Sequence, residues 1–175
     1  MNTIGNYAPD FEIPGIDNEV YHLGSYRRKF KAIAVIFIGN IPEVNQYLER
    51  LKKIQTDFGR QEFTIMGIDS NYRSEPIAQS IETMQQFAQD NELNFPYLRD
   101  STQDVAKSFK VKVLPTAYLL DSDAVIRYQG RIDDCYESEQ VNHHYLRDSI
   151  EAMLSSRTIS QDYIEPVGAK INWRP

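Results

Sequence analysis

Among the 175 residues of this sequence one side chain is a ready nucleophile for redox or covalent chemistry: Cys135, the single cysteine. The attacking species is the thiolate, so a reactive cysteine needs cationic company or a helix start. Cys135 instead stands among Asp133, Asp134, Glu137 and Glu139, and negative neighbours disfavour ionisation. It reads as a loop thiol without special reactivity. His143 and His144 are consecutive; on a helix they would diverge by about 100° and could not easily share an ion, and His22 is remote in sequence. Asp121 and Asp123 lack the further oxygen ligands and the glycine of a calcium loop, and read as turn formers. No metal or cofactor is expected. Gly39-Asn40 stands before a helix start without the spaced glycines and lysine of a phosphate loop, and Glu43 would weaken the pull of that start on an anion.

The elements that must position these residues follow from periodicity. Residues 32–38 are a continuous apolar run rich in β-branched types, the pattern of a strand buried on both faces. Pro42, tolerated in a first helical turn, begins a helix to Gly59 whose inner face carries Val44, Leu48, Leu51 and Phe58. Residues 63–68 form the next strand, completing a right-handed β-α-β unit. Ser80 caps a helix to Asn91 with Ile81, Met84, Phe87 and Ala88 inward. After the extended Phe95-Pro96-Tyr97-Leu98, Ser101 or Thr102 caps a short helix to Phe109. Residues 116–120 and 125–129 flank a polar turn and form a hairpin. A last helix spans 143–154 with Leu146, Ile150 and Met153 inward, and residues 155–175 form a polar tail containing Trp173. Residues 11–23, with Pro14, Gly15, Asp17 and Asn18 between short apolar segments, read as an N-terminal hairpin on a sheet edge.

Bulk properties narrow the function. With 41% apolar and 25% charged residues and no repeat or long linker, residues 1–175 are expected to be one globular domain. The formal charge of -6 disfavours nucleic-acid binding, which needs clustered Lys and Arg. The short basic run from Arg27 to Lys31 reads as a solvated strand flank, and the eleven tyrosines are scattered rather than interleaved with basic residues. The start of the chain shows no basic region followed by an apolar stretch, and no run is long enough to cross a bilayer. A cytoplasmic protein with no membrane insertion is expected.

Four blocks then carry a resemblance. Gly5-Asn6-Tyr7-Ala8-Pro9-Asp10-Phe11, Phe95-Pro96-Tyr97-Leu98-Arg99-Asp100, Val113-Leu114-Pro115-Thr116 and Gly130-Arg131-Ile132-Asp133-Asp134 are similar, in order and spacing, to the alkyl hydroperoxide reductase and thiol-specific antioxidant superfamily of thioredoxin-like folds. The resemblance implies an α/β fold with a mixed central sheet, helices on both faces, and a cis peptide before Pro115. It is strongest to a peroxiredoxin-like branch with C-N-H-C-P after the first core strand and a cysteine near a C-terminal tryptophan. This chain has Gly39-Asn40-Ile41-Pro42 at the first place and Ala169 at the second. Removing the sulfur removes the nucleophile of both disulfide exchange and peroxide reduction.

The resulting expectation is a redox-inactive, peroxiredoxin-like protein that works by binding another protein, as an assembly or regulatory factor. Its groove is expected at Gly39, Asn40, Ile41, Leu114, Pro115 and Thr116, where such a fold leaves backbone free to pair with an extended polypeptide. The alternative is a thiol-dependent oxidoreductase of the same superfamily acting through Cys135 or a partner's thiol.

Overall fold

The first core strand organises everything else. Every residue of β3 (Ala32–Ile38) is buried, and it is flanked on both sides, by β4 (Phe63–Asp69) in parallel and by β7 (Thr116–Asp121) antiparallel. In the computed structural model, which describes residues 3–175, β3 and β7 lie at the centre of a six-stranded mixed sheet. Its order is β5-β4-β3-β7-β8-β9, with β5 at Tyr97–Arg99, β8 at Ile126–Gly130 and β9 at Tyr163–Ile164. The continuous apolar character of residues 32–38 follows from this placement, since helices cover both faces.

At the sheet's edge, β1 (Glu12–Pro14) and β2 (Val20–His22) pair as the expected N-terminal hairpin. The Ile16 amide donates to the Tyr97 carbonyl at 3.0 Å, so the hairpin covers the β5 edge. A single turn, α1 (Leu23–Tyr26), follows it.

The helices depart from expectation in instructive places. The helix expected from Pro42 to Gly59 is two pieces, α2 (Pro42–Asn45) and α3 (Leu48–Phe58). Between them the Tyr47 amide bonds back only three residues, to the Val44 carbonyl at 2.8 Å, tightening the chain and sinking the Tyr47 ring into the core. Ser80 caps α4 (Ile81–Asp90), accepting from the Thr83 amide at 3.1 Å. The start of α5 (Asp104–Ser108) is capped twice: Thr102 Oγ1 accepts from the Asp104 amide at 3.3 Å, and the buried Asp100, which the sequence did not suggest, accepts through its carboxylate from the Val105 and Ala106 amides. A carboxylate matches orphan amides better than a hydroxyl does. The last helix, α6 (Tyr145–Leu154), starts two residues later than expected.

The polar tail is also structured. Its β9 pairs with β8, while β10 (Ala169–Lys170) pairs antiparallel with β6 (Val113–Leu114), the strand just before the hairpin.

Candidate functional site

β3 delivers the chain to its helix start at Gly39. Ile41 is extended, with φ -137° and ψ 151°, and serves as N-cap with Pro42 in the first turn. Its carbonyl accepts from the Val44 and Asn45 amides, both at 3.0 Å. Asn40 is exposed and accepts from the Asn45 amide group at 3.2 Å. Gly39 is buried, yet a Cβ built on it meets only ordinary contacts: Asn71 Cβ at 3.5 Å, Arg73 Nη2 at 3.6 Å and Leu114 Cδ1 at 3.6 Å. The missing side chain is therefore a property of this sequence and not a demand of the backbone.

Facing this start is the proline loop. The Leu114–Pro115 peptide is cis, as the resemblance implies. Thr116 is buried, pairs with Phe37 in the sheet, and its hydroxyl donates to the Val113 carbonyl at 2.7 Å. Gly39, Leu114, Pro115 and Thr116 are buried, Ile41 is half-buried, and Asn40 alone faces solvent fully.

The expected open edge at Leu114 is corrected by the tail. Ala169 lies opposite Leu114 and Lys170 opposite Val113, and the Ile171 amide donates to the Lys112 carbonyl at 3.0 Å. Backbone groups that would receive an extended polypeptide already have a partner in the same chain. No local signal marks this, because the paired residues stand far apart in sequence.

Behind the helix start lies a buried polar network. Asp69, at the end of β4, accepts from Tyr97 Oη at 2.9 Å and from Arg73 Nη2 at 3.1 Å. Burial, together with the Asp69 charge and hydrogen bond, holds the Tyr97 hydroxyl well above the usual phenol range. Arg73 thus approaches position 39 while its charge is engaged by Asp69. The buried Gln103 donates to the Ser70 carbonyl and to the Asn172 carbonyl of the tail, both at 2.8 Å.

Cys135 lies elsewhere, half-buried on a loop clamped by Arg50. Arg50 Nη1 donates to both Asp133 oxygens, at 2.9 and 2.7 Å, and to the Cys135 carbonyl at 2.8 Å; its Nη2 donates to the Tyr136 carbonyl. The guanidinium also lies 4.2 Å from the Tyr47 ring centroid. Asp133 is 2% exposed, so this clamp is an interior one. The Tyr136 hydroxyl donates to the Pro42 carbonyl at 2.7 Å, joining the Cys135 loop to α2. Sequence reasoning missed Arg50, and its type and position on α3 give no sign of a partner more than eighty residues away.

The remaining candidates take structural roles. Asp121 accepts from the Asp123 and Val125 amides and from Arg127, building the hairpin turn. His143 stacks on Tyr145 and His144 precedes α6. His22 bridges Asp10 at 2.7 Å and Ser25 at 3.1 Å. Among the described residues no group of three or more His, Cys, Asp or Glu could hold a metal ion, and no helix is long and apolar enough to cross a membrane.

A parallel β-α-β core followed by a cis-proline and an antiparallel hairpin defines a thioredoxin-like fold. Residues 4–129 match the AhpC/TSA family, and the chain belongs to that family while carrying no cysteine at its helix start. Among solved structures it is similar to an uncharacterized conserved protein from Geobacillus kaustophilus, with 27% identity, coverage of 100% of this chain and 94% of the other, and a TM-score of 0.91. A hypothetical protein from Sinorhizobium meliloti 1021 gives 26% identity, 99% and 96% coverage, and a TM-score of 0.90. The peroxidoxin BcpB from Mycobacterium tuberculosis, at 18% identity, 89% and 96% coverage and a TM-score of 0.64, shares the fold. Comparison with curated proteins finds no match.

Proposed function

We propose that this chain is a redox-inactive member of the AhpC/TSA family that acts by binding another protein. One observation carries the reading: the helix start that faces the cis-proline is Gly39-Asn40-Ile41-Pro42, with no sulfur in it. Thiol chemistry at that position requires a thiolate, and neither Gly39 nor Asn40 can substitute for one. The one cysteine adds support. Cys135 belongs to a loop whose carbonyls are held by Arg50, and the charge of that arginine is engaged by Asp133.

Family membership favours a second reading, in which Cys135 turns over with a partner's thiol. The two separate in one experiment. Peroxide consumption and insulin reduction are measured with a thiol reductant present, for wild type and Cys135→Ser. The binding reading expects both proteins to match the reductant-only control. Turnover by wild type that Cys135→Ser abolishes would establish the oxidoreductase.

A further inference from the structure

We infer that residues 167–174 are a releasable strap, an intramolecular ligand that occupies the Val113–Leu114 edge in place of an extended polypeptide segment of the same pattern. The inference deepens the binding reading and rests on it, by naming what the partner must present.

The strap is built to fit. Gly168 passes so close to β6 that a Cβ on it would stand 2.0 Å from the Leu114 carbonyl oxygen, a contact no side chain survives. Ala169, a small residue, comes next opposite Leu114, and Ile171 is buried beyond it. The Tyr72 amide donates to the Asn172 carbonyl at 2.8 Å, and the Asn172 amide donates to Asn71 Oδ1 at 2.6 Å. Gln103, itself 2% exposed, donates to that same Asn172 carbonyl and accepts from the Arg174 amide at 2.9 Å. With the strap in place the Gln103 amide is satisfied on both sides, so the surface under the strap is polar and complementary to extended backbone.

The strap is also lightly held. Ile171 is its only buried residue; Val167 and Trp173 are 59% and 38% exposed. Its polar contacts lie mostly at the surface, where water competes for them, and a segment with little buried apolar area opens below the global unfolding free energy. Opening bares the Lys112 carbonyl, the Val113 and Leu114 backbone and the Tyr72 amide beside the Gly39 turn. A segment that replaces it must be extended, with glycine, then a small residue, then an aliphatic residue two positions later.

Hydrogen exchange of the full-length protein tests release directly. The Tyr72 and Ile171 amides should exchange through local opening, faster than the Val35 amide in β3. Exchange of all three only on global unfolding would overturn the inference. Two variants then test occupancy. Gly168→Val and Ile171→Asp should each deprotect Tyr72 and shift the emission of Trp173, the sole tryptophan. Each should bind a fluorescent synthetic peptide copying residues 166–175 at least tenfold more tightly than wild type does, with no binding of the peptide bearing the Gly168→Val change. Equal peptide affinity in wild type and a variant whose Tyr72 amide is deprotected would refute the edge as receptor. Because no peroxide turnover is read, that failure would leave the redox-inactive reading standing.

Discussion

Arg50→Ala should be among the most destabilising single changes away from the sheet. The guanidinium is 13% exposed and Asp133 only 2%, so removing the arginine strands a carboxylate in the interior. It also leaves the Cys135 and Tyr136 carbonyls without their donor and takes the cation from the Tyr47 ring. Breaking a buried pair by deleting one partner costs about 3–5 kcal/mol. Two features place this case at the lower end. The Cys135 amide still reaches Asp133 Oδ1 at 3.3 Å, and Arg50 Nε is itself buried without a partner, a desolvation penalty that the variant escapes. A loss of about 3 kcal/mol follows, which for a domain of this size lowers the thermal midpoint by roughly 6–12 °C. Urea unfolding followed by far-ultraviolet circular dichroism measures it, with the midpoint shifted and the slope unchanged. Asp133→Asn in the Arg50→Ala background should recover part of the loss, because the stranded charge is then gone. A loss below about 1 kcal/mol would place the cluster with ordinary surface ion pairs and refute the interior clamp.

Other consequences follow from the same physical terms. Tyr97→Phe removes one of the donors to buried Asp69 Oδ2 and should cost about 1–3 kcal/mol in urea unfolding. Three carboxylates sit below the usual range. Burial pushes Asp10 up, but its bonds from His22 and the Gly24 amide outweigh this; Asp57 is lowered by Arg147 and Asp134 by the Asn142 amide. A depressed carboxylate stabilises the fold above its unfolded value and loses that contribution as pH falls through its folded one. The unfolding midpoint should therefore hold steady down to about pH 4 and decline below it, and Asp57→Asn should flatten part of that decline. Gly39→Cys in a Cys135→Ser background should fold with a midpoint close to wild type, since its Cβ meets only contacts of 3.5 Å or more; a large loss measured by calorimetry would mean that the backbone itself excludes a side chain there.

Much of the architecture is legible because its signals are local. The apolar run at residues 32–38 became a strand buried along its whole length, Pro42 opened a helix and Ser80 capped one. The break before Leu48 was not legible, since Tyr47 sinks its ring by tertiary packing that no periodicity records. Thr102 did meet the first amide of α5, but the Asp100 carboxylate that takes the next two acts from four residues ahead, outside the usual pattern. The candidate site was readable in part. Leu114 does lie against position 39 and Thr116 pairs with Phe37 just before it, but the tail that covers Leu114 reads only as polar until Gly168 is seen against a carbonyl that permits no Cβ. Arg50 and Gln103 are types that usually face water, and each is held by a partner distant in sequence, Asp133 for Arg50 and Asn172 for Gln103.

The central claim is that this AhpC/TSA chain has kept the fold and lost the thiol chemistry. It is tested most directly by the rate at which the Cys135 thiol of the native protein reacts with hydrogen peroxide at neutral pH, followed by mass spectrometry of the oxidised residue. The account predicts a second-order rate constant equal, within a few-fold, to that of free cysteine under the same conditions. A rate constant a thousandfold or more above it would contradict the account and make Cys135 a peroxidatic centre.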